Sequence, residues 1–148
     1  MGRIIFAKAS EIRPDQFEVE ADSLELLINF FKDKRHGLLL PPAVRDYDGY
    51  VCIDGNHRFL LAGLFDVEMA VYVAENKDDF MNPKDFPNIV RGFVDLTNDV
   101  IGYAFDKIPK NALKAKEQGI ASFADLRVRY GLTSIAELEK FIAEYRHV

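Results

Sequence analysis

Apolar positions along the chain change their period several times, and each change marks an element. The opening run "RIIFAKASEIRP" suggests a short strand, with Arg13-Pro14 breaking it. "QFEVE" alternates apolar and polar residues, the signature of a half-buried strand. The period then lengthens. In "ADSLELLINFFKDKRHG", Leu24, Leu27, Ile28 and Phe31 recur at helical spacing, with Asp22 or Ser23 as cap and Gly37 as the expected stop. "LLLPPAVRDYDGYVCID" reads as a hairpin, because Asp48-Gly49 is a tight-turn pair between two apolar strands and Pro41-Pro42 suit a strand start. A helix over about Arg58 to Phe65 comes next, then the strand "EMAVYVAE". The expected order to this point is β-β-α-β-β-α-β.

The second half is mainly helical in pattern. Ile89, Phe93, Leu96, Val100 and Ala104 share one helical face, with Val90, Val94, Ile101 and Phe105 beside it. Asn88 suits the start and Pro109 the end. Gly92, Gly102 and "TND" would equally serve a hairpin of two strands, so residues 89–108 are open between the two, with the periodicity favouring helix. "KNALKAKEQG", "SFADLRVRYG" and "TSIAELEKFIAEYR" predict three further helices, the last with a capping box from Thr133 or Ser134 to Glu137. No repeat or linker interrupts the 148 residues. The expectation is one α+β domain over 1–148: a small mixed β-sheet with packed helices over 1–78, and a helical C-terminal extension over 79–148.

Composition narrows the function. The net charge of −5 resides in residues 1–75, and residues 76–148 are balanced. Neutralisation of phosphates dominates nucleic-acid binding, so this balance argues against DNA or RNA as a general partner. Any anion site must be local. The last predicted helix carries Glu137, Glu139 and Glu144 against Lys140 and Arg146, which opposes its use as a DNA-reading helix. Its stripe Ile135, Leu138, Phe141, Ile142 and Tyr145 is read as core or as a homodimer surface. A single cysteine, Cys52, lies within a predicted strand and is expected to be packing. With no export signature in "MGRIIFAKAS" and no apolar run of membrane-spanning length, a cytoplasmic protein is expected.

The candidate chemistry gathers at "CIDGNHRFLLAGLF", residues 52–65. An apolar strand delivers the chain to Gly55, which tolerates conformations denied to other residues. The next helix begins with unpaired N–H groups and the positive end of its dipole. Arg58 adds a guanidinium fork suited to phosphate. His57 can donate a hydrogen bond or shuttle a proton. Asp54 is placed to orient a neighbour, to hold a phosphate-bridging metal or to act as a base. Gly55, Asn56, His57 and Arg58 are therefore the candidate phosphate-binding residues, and Asp54 and His57 the candidate catalytic ones. The cluster Lys32, Lys34 and Arg35 suits a helix C-terminus, with a contribution to a nucleotide or phosphate site as the alternative. Glu18 and Glu20 are secondary acidic candidates, and His36 and His147 are expected to be exposed and idle. The sequence has no metal-ligand motif.

The block from Leu38 to Ala74 resembles the ParB/sulfiredoxin-like superfamily. "PPAV", "YDGYVCI", "DGNHR", "FLLAGLF" and "AVYV" match that family's strand, turn, strand, Gly-x-x-Arg motif, helix and closing strand. The resemblance covers residues ~3–75. It implies that the loop from Gly55 to Arg58 contacts nucleotide phosphates. His57 matches the sulfiredoxin version Gly-Cys-His-Arg, but Asn56 falls where its catalytic cysteine would be and cannot form sulfur intermediates. The Asp-Gly start looks more like the free serine kinases of this superfamily, which points to Asp54 as catalytic. In the chromosome-partition proteins the matching loop binds CTP. The functions implied are a nucleotide-dependent phosphotransferase or hydrolase using Mg2+ with ATP or another nucleoside triphosphate, or a non-catalytic nucleotide- or protein-binding module.

Overall fold

The computed structural model describes residues 2–86, 89 and 94–147. Its centre is the apolar run that precedes the candidate loop. Val51, Cys52 and Ile53 are all buried, because their strand is covered on both faces. Successive side chains of a strand point to opposite sides. Cys52 therefore joins one apolar cluster, while Val51 and Ile53 join another across the sheet.

Five strands form this mixed sheet: β1 (Arg3–Lys8), β2 (Ile12–Arg13), β3 (Ala43–Asp46), β4 (Tyr50–Asp54) and β5 (Glu68–Ala74). Their spatial order is β1-β5-β3-β4-β2. β1 runs antiparallel to β5, β3 antiparallel to β4, and the pairs β3–β5 and β2–β4 are parallel. The expected hairpin is present, its turn closed by Asp48 and Gly49, both at positive φ. Six α-helices are found among the described residues: α1 (Ala21–Lys32), α2 (Asn56–Phe65), α3 (Val94–Ala104), α4 (Ile108–Glu117), α5 (Phe123–Arg129) and α6 (Ile135–Tyr145). Helices α1, α2, α5 and α6 build the cluster on the Cys52 face. α3 and α4 build the opposite one, with Ala115 at the far end of α4 joining the first.

The first half keeps the order β-β-α-β-β-α-β, but its second strand is Ile12–Arg13 and not "QFEVE". Residues 16–20 cross the molecule without strand pairing. Phe17 and Val19 pack on the core while Glu18 and Glu20 face solvent, so the alternation is real without a ladder. α1 begins one residue before Asp22, with Glu20 as its cap, and ends at Lys32, short of Gly37. Residues 94–104 form a helix and not a hairpin. Asn88, Val90, Gly92 and Phe93 lie outside the described residues. Pro109 does not stop that helix; it sits in the first turn of α4, where a missing N–H costs nothing. Ser134 caps α6, its hydroxyl accepting from the Glu137 N–H at 3.1 Å. Leu138 and Ile142 of the α6 stripe are buried, whereas Ile135 and Tyr145 are exposed. No helix among the described residues is long and apolar enough to cross a membrane.

Candidate functional site

β4 ends at Asp54 and α2 begins at Asn56, so one residue makes the turn between them. That residue is Gly55, with φ at 106°. A side chain there would be strained, and its Cβ would meet Pro42 Cβ at 2.5 Å and Arg58 Nη2 at 2.9 Å. Glycine is thus required both by the turn and by the approach of the 41–42 segment. Past it, Phe59 N–H makes the first helical bond, to Gly55 O at 3.0 Å. Among the described residues nothing accepts from the backbone N–H groups of Asn56, His57 and Arg58, and no side chain caps the helix. Gly55, His57 and Arg58 are half-buried, so this helix start is partly open to solvent.

The Arg58 side chain turns inward. It donates to Leu40 O through Nη1 and to Asp54 Oδ2 through Nη2 at 3.3 Å, with 12% of the side chain exposed. Thr97, buried on α3, donates to the same Oδ2 at 2.8 Å. The carboxylate therefore ties the end of β4 to α2 and α3. Burial lowers the pKa of the guanidinium, against the Asp54 charge that raises it. Arginine titrates so far above neutrality that the group stays charged. The fork expected to face a ligand is thus largely engaged within the protein.

His57 is fixed by an unexpected partner. Its Nε2 accepts from the Glu20 backbone N–H at 3.0 Å. That bond places the neutral ring's proton on Nδ1. Burial lowers the His57 pKa, with Arg58 adding to the effect and the Glu20 carboxylate opposing it. A neutral His57 with its lone pair engaged can donate from Nδ1 but has no free acceptor for a general-base step.

Two residues enter the site that sequence reasoning did not find. One is Thr97. The other is Asp15, whose Oδ1 accepts from Asn56 Nδ2 at 2.7 Å. Asn56 is itself buried, and its Oδ1 has no partner among the described residues. Burial pushes the Asp15 carboxyl up to about 6, with the Asp54 charge adding and the Asn56 bond opposing. A protonated Asp15 would carry the kind of donor that Asn56 Oδ1 lacks. Asp15 also lines a cleft of about 270 Å³ with Gln16, Phe17, Glu18, Asn111 and Lys114. A carboxyl that titrates near neutrality beside an open space is suited to acid–base work.

This titration gives a stability prediction. The folded pKa, about 6, lies above the ordinary value of 3.8. Between these values the folded state binds more protons, so stability falls as pH rises from 4 to 6 and stays lower above. Asp15→Asn removes that loss while keeping an acceptor for Asn56. It is expected to unfold at higher urea than wild type at pH 7, by roughly 2 kcal/mol, since part of Asp15 remains in water. The gain should shrink toward zero by pH 4. A difference constant over this range would show that Asp15 titrates like a free carboxyl.

The other sequence candidates are dispersed. Cys52 is buried and free, its thiol pKa raised by burial. Lys32 pairs with Glu139 and Arg35 with Asp33, consistent with roles at the end of α1. His147 is exposed as expected but not idle: it bonds Asp22 through its backbone and its ring. No group of three or more potential ligating His, Cys, Asp or Glu side chains occurs among the described residues. Asp54, whose Oδ1 accepts no bond from a described residue, fits a single-carboxylate contact to Mg2+ carried in by phosphates.

Comparison with models of known protein families gives no match, and a search of curated proteins gives none either.

Proposed function

We propose that this chain is a ParB/sulfiredoxin-like protein that binds a nucleotide or related phosphorylated ligand at the Gly55–Arg58 turn. One observation carries the reading: three unbonded N–H groups, of Asn56, His57 and Arg58, at the partly open start of the ten-residue α2, entered through left-handed Gly55. Such a terminus favours phosphate through its donors and its dipole. The buried Arg58 charge beneath it adds to the field without needing to reach the ligand. The element order β-β-α-β-β-α-β, with "DGNHR" at the β4–α2 junction, supports the superfamily assignment. In a phosphotransferase or hydrolase, Asp54 would contact Mg2+ on the phosphates, and Asp15 would be the better-poised proton acceptor. The cation would neutralise phosphate charge in the transition state.

A non-catalytic module is the second reading. It is favoured by the engagement of Asp54 Oδ2 with Arg58 and Thr97 and of His57 Nε2 with Glu20. Calorimetric titration with ATP, CTP and GTP in the presence of Mg2+, with product analysis afterwards, separates the two. Binding of at least one nucleotide is expected. Turnover identifies an enzyme, and binding without turnover the module. Arg58→Lys keeps the charge but loses the fork that fixes it between Leu40 O and Asp54, so the charge is displaced from beneath the helix start and binding should weaken by about tenfold. Failure of all three nucleotides to bind at millimolar concentration overturns the proposal.

A further inference from the structure

The sheet has two edges, and they are protected unequally. β2 is only two residues long, and Arg13 closes over the β3–β4 turn by donating to Tyr47 O and Asp48 O. β1 is six residues long and, among the described residues, pairs only with β5. The Lys8 N–H turns away from β5 to Glu11 Oε2 at 2.8 Å. Strand geometry alternates, so the N–H and C=O groups of Ile4 and Phe6 also face outward. No described residue bonds to them. Their side chains share the sheet face of Tyr72, the register partner of Ile4, and are 42% and 69% exposed. Charges that commonly guard such an edge are diverted within the chain: Arg3 pairs with Glu75 at 3.4 Å and Lys8 with Asp66 at 3.3 Å.

We propose that β1 is a homodimer interface, pairing antiparallel with β1 of a second copy about a two-fold axis through Ile5. The occupant is argued from self-complementarity. Centring the pair on Ile5 sets Ile4 of each copy opposite Phe6 of the other, as two hydrogen-bonded pairs that exchange four backbone bonds. It also sets Arg3 opposite Ala7, and Lys8 opposite Gly2, so no like charges meet. Centring on Phe6 instead would place Lys8 against Ile4. A perpendicular axis keeps both apolar residues on one face of a continuous ten-stranded sheet, adjoining the groove that Phe6 lines with Pro41, Pro42 and Phe86. A closed two-fold contact of this kind does not propagate into fibres.

The test is independent of any nucleotide. Sedimentation velocity on the full chain over 5–300 μM should show a reversible species of twice the 16.9 kDa chain mass. Phe6→Pro removes one outward N–H, which an edge strand tolerates. It should leave the circular dichroism spectrum unchanged and weaken dimerisation at least tenfold. Ile4→Lys, which leaves the backbone intact, should do the same and serves if the proline variant fails to fold. The double variant Ile4→Cys with Phe6→Cys should give a covalent dimer under mild oxidation, because opposed residues lie within disulfide reach. Either single cysteine variant should cross-link far less, since like positions are offset along the strand. A single-chain mass at every concentration overturns the proposal. So does a dimer unaffected by both variants, or one that the double variant does not lock.

Discussion

Replacing Arg58 with methionine should destabilise the fold by roughly 3 kcal/mol, the low end of the cost of breaking a buried ion pair. The variant leaves Leu40 O without its donor and Asp54 with Thr97 alone. The low end applies because 30% of the Asp54 side chain is exposed, so water compensates in part. Urea unfolding at pH 7 measures the loss. The double variant Arg58→Met with Asp54→Leu should recover part of it, because removing both charges leaves no uncompensated charge, while Leu40 O and the Thr97 hydroxyl still lack their partners. A single-variant loss below about 1 kcal/mol would mean that the guanidinium is held only weakly inward. It would then be free to turn toward a ligand. The result therefore bears on function as well as stability. A large loss makes Arg58 a structural charge beneath the helix start, and explains why Arg58→Lys is the better probe of binding.

Some of this was legible in the sequence, for identifiable reasons. β4 and α2 announce themselves because a doubly covered strand must be continuously apolar, and because glycine alone suits the turn at φ 106°. Asp48-Gly49 gives the hairpin because both residues tolerate positive φ. "QFEVE" misleads because alternation reports which side is buried, not whether a neighbour bonds to the backbone. Phe17 and Val19 reach the core from an irregular segment as readily as from a strand. The site was half legible. Gly55 to Arg58 lie on one stretch and are found by motif. Asp15 bonds Asn56 from 41 residues away, and Thr97 reaches Asp54 from 43 away. No local pattern encodes such pairings. The inward turn of Arg58 was hidden for the same reason, since its acceptor Leu40 O is supplied by the segment leading into β3.

Phe123→Ala should cost about 3–5 kcal/mol, as for other large-to-small changes in a closed core. The ring is 1% exposed and lies 5.4 Å from the Phe59 ring, tilted against it. Phe59 belongs to α2, the helix whose start forms the candidate site, while Phe123 opens α5 in the C-terminal extension. Both belong to one apolar cluster that also holds Val71 and Val73 of β5 and Leu138 and Ile142 of α6. If this cluster is one cooperative unit, the substitution must weaken the sheet and the extension alike. Hydrogen exchange reads this directly: amide protection in β5 and in α6 should fall by the same factor. Loss of protection in α5 and α6 with β5 unchanged would show that the extension folds as a separate unit. The candidate site would then stand on residues 1–78 without support from beneath. With total stabilities of about 5–15 kcal/mol for ordinary domains, a cooperative loss of this size is large enough to lower nucleotide binding indirectly. Binding by Phe123→Ala should therefore be compared with that by Arg58→Lys at matched stability, where only the latter displaces the charge beneath α2.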